Sequence, residues 1–298
     1  MRALVTGARG FVGTWLTAHL VESGDDVVAI DHEVDITDGE ALRSAVVGAA
    51  PEVVYHLAAL TNVGKSWTDP AEVLRVNATG TLYVLEAARA CPHPPRVLLT
   101  SSAEVYGAVP QELLPVTEDA PLAPVTPYAA SKVAAEYLGL QSYLAYGLPV
   151  LRTRPFNHVG PGQSAAFVVS ALAERIVEAR RRGADSMVVG NLTARRDLTD
   201  VRDVVRAYRL LAERGMAGEV YNVCSGRDVS IADVAAQLQQ LAGTDLRFEL
   251  DPSLARPVDV PVVRGDPTKL QEATGWEPRF TLDRTLLDVL EQWSDRAA

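Results

Sequence analysis

The 298-residue chain is 48% apolar and 22% charged, with a formal net charge of −10. This is ordinary globular composition, which excludes a disordered or low-complexity chain. The negative balance argues against nucleic acid or an anionic membrane as partner, and any anionic ligand then needs a local cluster of Arg or Lys. No apolar run reaches membrane-spanning length. The opening MRALVTG is already strand-like and leaves no room for a signal peptide, and Cys91 and Cys224 imply no disulfide framework. The expected compartment is a reducing cytoplasm.

In chain order, apolar runs rich in Val and Leu predict strands at Ala3–Thr6, Val27–Asp31, Val53–Leu57, Val97–Thr100 and Val150–Arg154. Between them, helix-length amphipathic segments predict helices at Phe11–Ser23, Gly39–Ala49, Pro70–Ala90 and Tyr128–Tyr146. This alternation predicts an α/β fold: a Rossmann-type, doubly wound parallel sheet with helices on both faces and ligands at the carboxyl ends of its strands. From about Val159 the rhythm changes. Short strands at Met187–Val189, Val220–Val223 and Arg247–Leu250 mix with helices at Ala166–Arg182, Val201–Arg214 and Ile231–Ala242. The expected division is a dinucleotide-binding domain over residues 1–158, with segments near 190–225 returning to it, and a smaller C-terminal α/β substrate lobe over 159–298.

The first strand runs into Val5-Thr-Gly-Ala-Arg-Gly-Phe-Val-Gly13, with Gly7, Gly10 and Gly13 three apart at the opening of a helix. Gly7 permits a tight turn, Gly10 lets backbone approach a pyrophosphate, and Gly13 allows close helix–strand packing, so the helix N-terminus faces phosphate. Strand, loop, helix and chain position together read as a dinucleotide site. Asp31, at the end of the second strand, suits the ribose hydroxyls of NAD, whereas Arg9 and His32 are placed to meet the 2′-phosphate of NADP. The cofactor is therefore NAD or NADP, with Asp31 favouring NAD. Asp35 and Ile36 follow at once, where they would flank the adenine.

The stretch Thr100-Ser-Ser-Ala-Glu-Val-Tyr-Gly107 ends a predicted buried strand with hydroxyls, a carboxylate and a phenol. Downstream, Tyr128 and Lys132 lie four apart, on one helix face. An ammonium beside a phenol stabilises phenolate, which predicts a lowered Tyr128 pKa suited to proton exchange with a carbonyl or hydroxyl oxygen.

These motifs, with HLAA at His56–Ala59 and the Asn of VNATGT (Asn77), resemble the extended short-chain dehydrogenase/reductase family over nearly the whole chain. The segments Arg154–Gln163, Val189–Tyr208 and Val220–Gly226 and the pair Arg256-Pro257 resemble its nucleotide-sugar branch, and within it the GDP-4-keto-6-deoxy-D-mannose reductases, which form GDP-D-rhamnose. The resemblance implies Ser102, Tyr128 and Lys132 as catalytic residues, with Glu104 beside them. It implies cofactor contacts from Gly7, Arg9, Gly10, Phe11, Val12, Gly13, Asp31, Asp35, Ile36, Leu57, Ala58, Ala59, Asn77, Tyr128, Lys132 and Pro155. Asn77 reads either as a polar-core Asn or as a support for the helix and a proton relay.

On the substrate side the resemblance implies Ser102, Glu104, Asn157, Phe167, Asn191, Arg196 and Arg256, with Arg196 and Arg256 as diphosphate ligands; guanidinium suits that role through bidentate hydrogen bonds. Arg195 and Arg202 read instead as salt-bridge residues near Asp200 and Asp203. Trp67 reads as a cover for the cleft. No metal site is implied. Related 4,6-dehydratases often carry Asp and Glu after the Ser/Thr, but this chain has Ala103 and Glu104. The missing acid tilts the expectation toward ketone reduction, although GDP-mannose dehydratases also lack that Asp. Three readings stand: a reductase of a GDP-linked 4-keto sugar, a dehydratase or epimerase that retains its cofactor, and a non-catalytic cofactor sensor. Apolar residues beyond one face of the third and fourth predicted helices (Leu82, Val84, Leu85, Leu138, Leu140, Leu144) suggest a homodimer.

Overall fold

The computed structural model describes residues 1–251 and 260–297. Five strands from the first half of the chain, β1 (Arg2–Thr6), β2 (Asp26–Ile30), β3 (Val53–His56), β4 (Arg96–Thr100) and β5 (Val150–Pro155), join β9 (Val220–Val223) in one parallel sheet of order β2-β1-β3-β4-β5-β9. The strands are buried on both faces, so their side chains alternate between two apolar clusters. Ala3, Val5, Val53, Tyr55, Leu98 and Leu151 point to one face, against α1 (Phe11–Glu22) and α7 (Val201–Arg214). Leu4, Val54, Val97, Leu99 and Val150 point to the other, where α2 (Gly39–Ala49), α4 (Gly80–Arg89) and α5 (Pro127–Tyr146) pack.

The direction of strand succession reverses between β1 and β3, which opens a ligand crevice at their carboxyl ends. The backbones there nearly touch. A Cβ on Gly7, which has φ +70°, would lie 2.8 Å from the Ala58 amide nitrogen, and one on Gly13 would lie 2.0 Å from the Gly7 carbonyl. Only glycine lets the loop, the following helix and the HLAA segment approach this closely.

The predicted helix Pro70–Ala90 is one helical rod with a fault in it. α3 (Pro70–Leu74) passes into a π turn at Arg75–Thr79 and then into α4. The wider turn carries Asn77, and π turns of this kind mark functional positions. Val84 and Leu85, expected on an outer face, are core residues of the monomer, whereas Leu144 is 71% exposed on α5. α5 begins cleanly because Thr126 caps it, accepting the Ala129 N–H at 3.0 Å, and Pro127 occupies the first turn.

A second core lies in the C-terminal half. α6 (Val168–Arg182), α8 (Ile231–Ala242) and α10 (Leu282–Ala297) pack with β7 (Ser186–Val189), which pairs β11 (Arg247–Leu250). Six elements escaped the sequence reading: α10 and the five that follow. β6 (Asn157–Val159) runs parallel to β8 (Arg195–Asp200), and β8 also pairs β10 (Asp228–Ser230) and β12 (Val262–Val263). α9 (Thr268–Thr274) packs back against α7 and β9. β8 reads as charged (RRDLTD), yet its last four residues are buried, because Asp197 and Asp200 are satisfied internally.

Candidate active site

The stretch after β4 is pinned to its neighbours residue by residue. The Ser101 amide donates to the Thr153 carbonyl of β5 at 2.7 Å. Ser102 caps a short 3₁₀ turn, Ala103–Tyr106, its hydroxyl accepting the Glu104 amide at 3.2 Å. Four residues past Ser102, the Tyr106 hydroxyl donates to Asn222 Oδ1 at 2.7 Å. The polar strand end is therefore both a cap and a platform: Ser102 is 8% exposed and Tyr128, on the first turn of α5, 7% exposed, and the Ser102 side chain lies near enough to pull the Tyr128 pKa down.

Lys132 lies one turn further along α5, and its ammonium donates to the Thr100 carbonyl at 2.7 Å. The Tyr128 pKa is raised rather than lowered as expected, and Lys132 is not among the groups that shift it. Burial pushes the phenol up to about 12; the Ser102 hydrogen bond pulls it down, and the Glu104 carboxylate pushes it up. Burial instead lowers Lys132 to about 8. Sequence reasoning missed this because spacing on a helix does not report desolvation. Tyr128 is thus a protonated phenol at neutral pH, suited to giving a proton rather than storing negative charge. The Glu104 carboxylate takes no backbone-amide hydrogen bond among the described residues; it is half-buried and acts on Tyr128 through its charge.

Asn77 in the π turn is fully engaged. Its Nδ2 donates to the Leu60 carbonyl at 3.0 Å and to Ser131 Oγ at 2.9 Å, and its Oδ1 accepts the Leu60 amide at 2.8 Å. It therefore ties the HLAAL loop to the residue between Tyr128 and Lys132.

Around the crevice, Gly10 caps α1, so the amides of Phe11, Val12 and Gly13 face outward at a helix N-terminus. Asp31 accepts the Arg9 amide at 2.7 Å and the His32 amide at 3.0 Å. The Arg9 guanidinium lies 3.4 Å from Glu33 and is largely exposed. Asp35 accepts the Thr37 amide and hydroxyl, which hold its pKa below the usual carboxylate range. Ile36 is a core residue against Gly80. Leu57, Ala58 and Ala59 follow β3 beside the glycine loop, and Pro155 ends β5. The glycine cradle, the outward amides and the carboxylate at the end of β2 together fit a dinucleotide.

The expected substrate residues are more dispersed. Asn157 opens β6 beside Leu198 of β8 and is exposed. Arg196 on β8 donates through Nη1 to the Val260 carbonyl at 2.8 Å. Phe167 caps α6 at 38% exposure, and Asn191 accepts the Thr193 amide and hydroxyl. Arg256 lies outside the described residues, and Trp67 is 43% exposed. Arg202 pairs with Asp200 and Asp288, whereas Arg195 pairs with Asp228 rather than with Asp200 or Asp203. Among the described residues no three His, Cys, Asp or Glu side chains converge on a metal position.

A buried charge cluster went unnoticed in the sequence. Glu136, one turn beyond Lys132 and 0% exposed, is gripped by Arg154 through Nη2 at 2.6 Å and Nε at 3.1 Å. The Arg154 Nη1 also donates to Tyr106 Oη at 2.8 Å and to the Glu118 carbonyl at 2.9 Å. The available signal was two arginines inside a strand, LRTRP, that must be buried and hence paired. Asp197 was missed in the same way. It accepts Ser225 N and Oγ at 2.8 and 2.6 Å and the Gly226 and Gly265 amides at 3.0 and 3.3 Å, fixing β8 to the turn after β9.

Known proteins share this fold. The profile of the family described as GDP-mannose 4,6 dehydratase matches residues 30–289. A GDP-6-deoxy-D-mannose reductase of Pseudomonas aeruginosa is 38% identical over 298 residues, covering 99% of this chain and 98% of that protein. The solved structure of RMD from Pseudomonas aeruginosa complexed with NADPH superposes with a TM-score of 0.92 at 37% identity, over 99% of this chain and all of that one. A Thermus thermophilus UDP-glucose 4-epimerase complexed with NAD gives 0.88 at 29% identity, over 98% and 99% of the two chains.

The depressed Lys132 pKa makes a stability prediction. Its folded value of about 8 lies below the ordinary 10.5, so between these pH values the unfolded chain binds more protons and stability rises with pH; below about 8 the folded state carries the full cost of the buried charge. Lys132→Met should therefore melt higher than wild type at pH 7, with the difference shrinking from pH 8 to 10.5. A variant that melts lower throughout overturns the assignment.

Proposed function

The chain belongs to the GDP-mannose 4,6-dehydratase family, and from that membership we propose that it is an NAD(P)H-dependent reductase of the C4 ketone of a nucleotide-linked 4-keto-6-deoxyhexose, GDP-4-keto-6-deoxy-D-mannose being converted to GDP-D-rhamnose. The observation that carries this reading is the burial of Ser102 and Tyr128 side by side, with Lys132 fixed one turn along the same helix; the 38% identity to a GDP-6-deoxy-D-mannose reductase supports it. When bound, the dihydronicotinamide supplies a hydride to C4. Ser102 holds the ketone oxygen, Tyr128 gives it the phenolic proton, and C=O becomes CH–OH. Lys132, fixed on Thr100, holds the nicotinamide ribose. The outward amides at Phe11 and Val12 take the cofactor pyrophosphate. Arg196 and Arg256 receive the diphosphate of the sugar nucleotide, with Asn157 beside it, and Phe167 and Asn191 flank the base. We assign residues 1–158 and β9 to the cofactor side and the second core to the sugar-nucleotide side, and place the enzyme in the cytoplasm, where buried Cys91 and Cys224 stay reduced; among the described residues no helix is long and apolar enough to cross a membrane.

Purified protein given the GDP-4-keto-6-deoxyhexose and NADH or NADPH should consume the reduced cofactor steadily. Tyr128→Phe should lower kcat by about 10²- to 10⁴-fold, the usual worth of a general acid, with cofactor affinity almost unchanged. Absence of net cofactor consumption favours the retaining dehydratase or epimerase instead, and turnover surviving in Tyr128→Phe removes its assigned role.

The Asp31 carboxylate, held at the end of β2, favours ribose hydroxyls over a 2′-phosphate. Asp31→Ala should shift the ratio of kcat/KM values toward NADPH. An unchanged ratio would show that Arg9 and His32, not Asp31, decide the preference.

We also propose a homodimer through the outer faces of α4 and α5, where Tyr137 and Leu144 are 54% and 71% exposed. Light scattering should give twice the chain mass, falling to one chain in Leu144→Glu. A single-chain mass for the wild type excludes the dimer.

A further inference from the structure

His56, at the end of β3, is 4% exposed and lies between two threonine hydroxyls. Its Nδ1 is 2.8 Å from Thr6 Oγ1, and its Nε2 is 3.0 Å from Thr81 Oγ1. The proton positions follow from the partners. Thr81 Oγ1 is 2.6 Å from the Asn77 carbonyl, which can only accept, so the Thr81 proton points there. His56 Nε2 must then donate to Thr81. Burial, with the Lys132 ammonium nearby, lowers the ring's pKa to about 3, so the imidazole is neutral and its Nδ1 is a bare lone pair. Thr6 must donate to it, while its oxygen accepts the Ala58 amide at 3.2 Å. Every donor in the chain has one acceptor, and every bond has one direction.

The chain's ends are the two halves of the site. Thr6 immediately precedes Gly7, and Ala58 is the backbone against which Gly7 closes. At the other end, Asn77 grips Leu60 and Ser131, and Ser131 in turn donates to the Tyr128 carbonyl at 2.7 Å. The Thr81 hydroxyl back-bonds to the Asn77 carbonyl one turn earlier, as Thr and Ser commonly do in helices. We propose that His56, held as the neutral Nε2–H tautomer between Thr6 and Thr81, is a positioning residue that fixes the Tyr128–Lys132 helix turn relative to the glycine-rich cofactor loop. It touches neither cofactor nor substrate; it sets the distance between the groups that do. The proposal rests on the reductase reading for its kinetic arm alone.

The test compares His56→Phe, which keeps a ring but loses both bonds, with Thr81→Val, which loses the hydroxyl, and Thr81→Ser, which keeps it. Displacing a catalytic group by a fraction of an ångström to one ångström costs roughly ten- to a hundred-fold in turnover, so His56→Phe and Thr81→Val should lose that much kcat at saturating sugar and cofactor. The NADH or NADPH dissociation constant, read from its fluorescence, and the sugar KM should stay within about threefold, since the binding groups are intact. Thr81→Ser should recover most of the loss. In parallel, amide hydrogen exchange in Thr81→Val should accelerate over residues 128–134 and at Leu60 and not in α1 or α7, because a lost joint opens locally whereas lost stability opens the whole domain. Wild-type kcat in Thr81→Val, equal damage in Thr81→Ser, or uniformly faster exchange each overturns the proposal. If the wild-type chain fails to turn over the keto sugar, the assigned reaction falls, and the exchange comparison, which needs no substrate, still decides the joint. Should His56→Phe fail to fold, the Thr81 pair decides it.

Discussion

The buried Glu136–Arg154 ion pair is the constraint on which the site's geometry depends. Two charges removed from water are costly, and breaking such a pair by removing one partner typically costs about 3–5 kcal/mol. The pair is tolerated here because Arg154 is used completely, with two nitrogens on Glu136, one on Tyr106 and the Glu118 carbonyl, and its face over the Tyr106 ring at 4.9 Å. Glu136 shares a helix face with Tyr128 and Lys132, Tyr106 shares a turn with Ser102, and Arg154 sits three residues before Asn157. One guanidinium therefore sets three catalytic segments against each other at fixed distance. Asn222 extends the cluster to β9, donating to the Val116 carbonyl at 3.0 Å and receiving the Tyr106 proton. An apolar replacement could fill the space but could not specify these orientations.

The central sheet was legible because its strands obey a simple physical pattern. Runs such as RVLLT and VVYH are apolar without alternation, as strands covered on both faces must be, and GxxGxxG after the first of them reports a backbone requirement that only glycine meets. Tyr128, Lys132 and Ser102 were legible as a group for the same reason: strand ends and the first turn of a helix fix where side chains meet. What stayed hidden depends on environment. The π turn at Asn77 leaves the apolar rhythm of the long helix nearly intact, so periodicity reads straight through it. β8 hides because its alternation is carried by Asp197 and Thr199, buried polar groups, and the partners of Asp197 lie tens of residues away. Val84 and Leu85 looked surplus to one helix face because α4 packs against α2, α5 and the sheet together. The Tyr128 pKa rises rather than falls because a helix spacing says that two groups are near and nothing about the water each has lost.

The neighbours of Tyr128 bear on the reaction. A protonated phenol is the form that gives a proton to a ketone oxygen. A retaining dehydratase or epimerase must begin by oxidising C4, which asks Tyr128 to take the hydroxyl proton. A dehydratase must then also remove a proton at C5 and deliver one to the leaving hydroxyl at C6. Glu104 is present for one of those transfers; Ala103 is 7% exposed and has no proton to offer for the other. The polar strand end after β4 is thus specialised as much by its methyl group as by its hydroxyls. In the proposed reduction, Ser102 and Tyr128 mark the place where the carbonyl oxygen receives its proton, and Ala103 beside them offers no second proton.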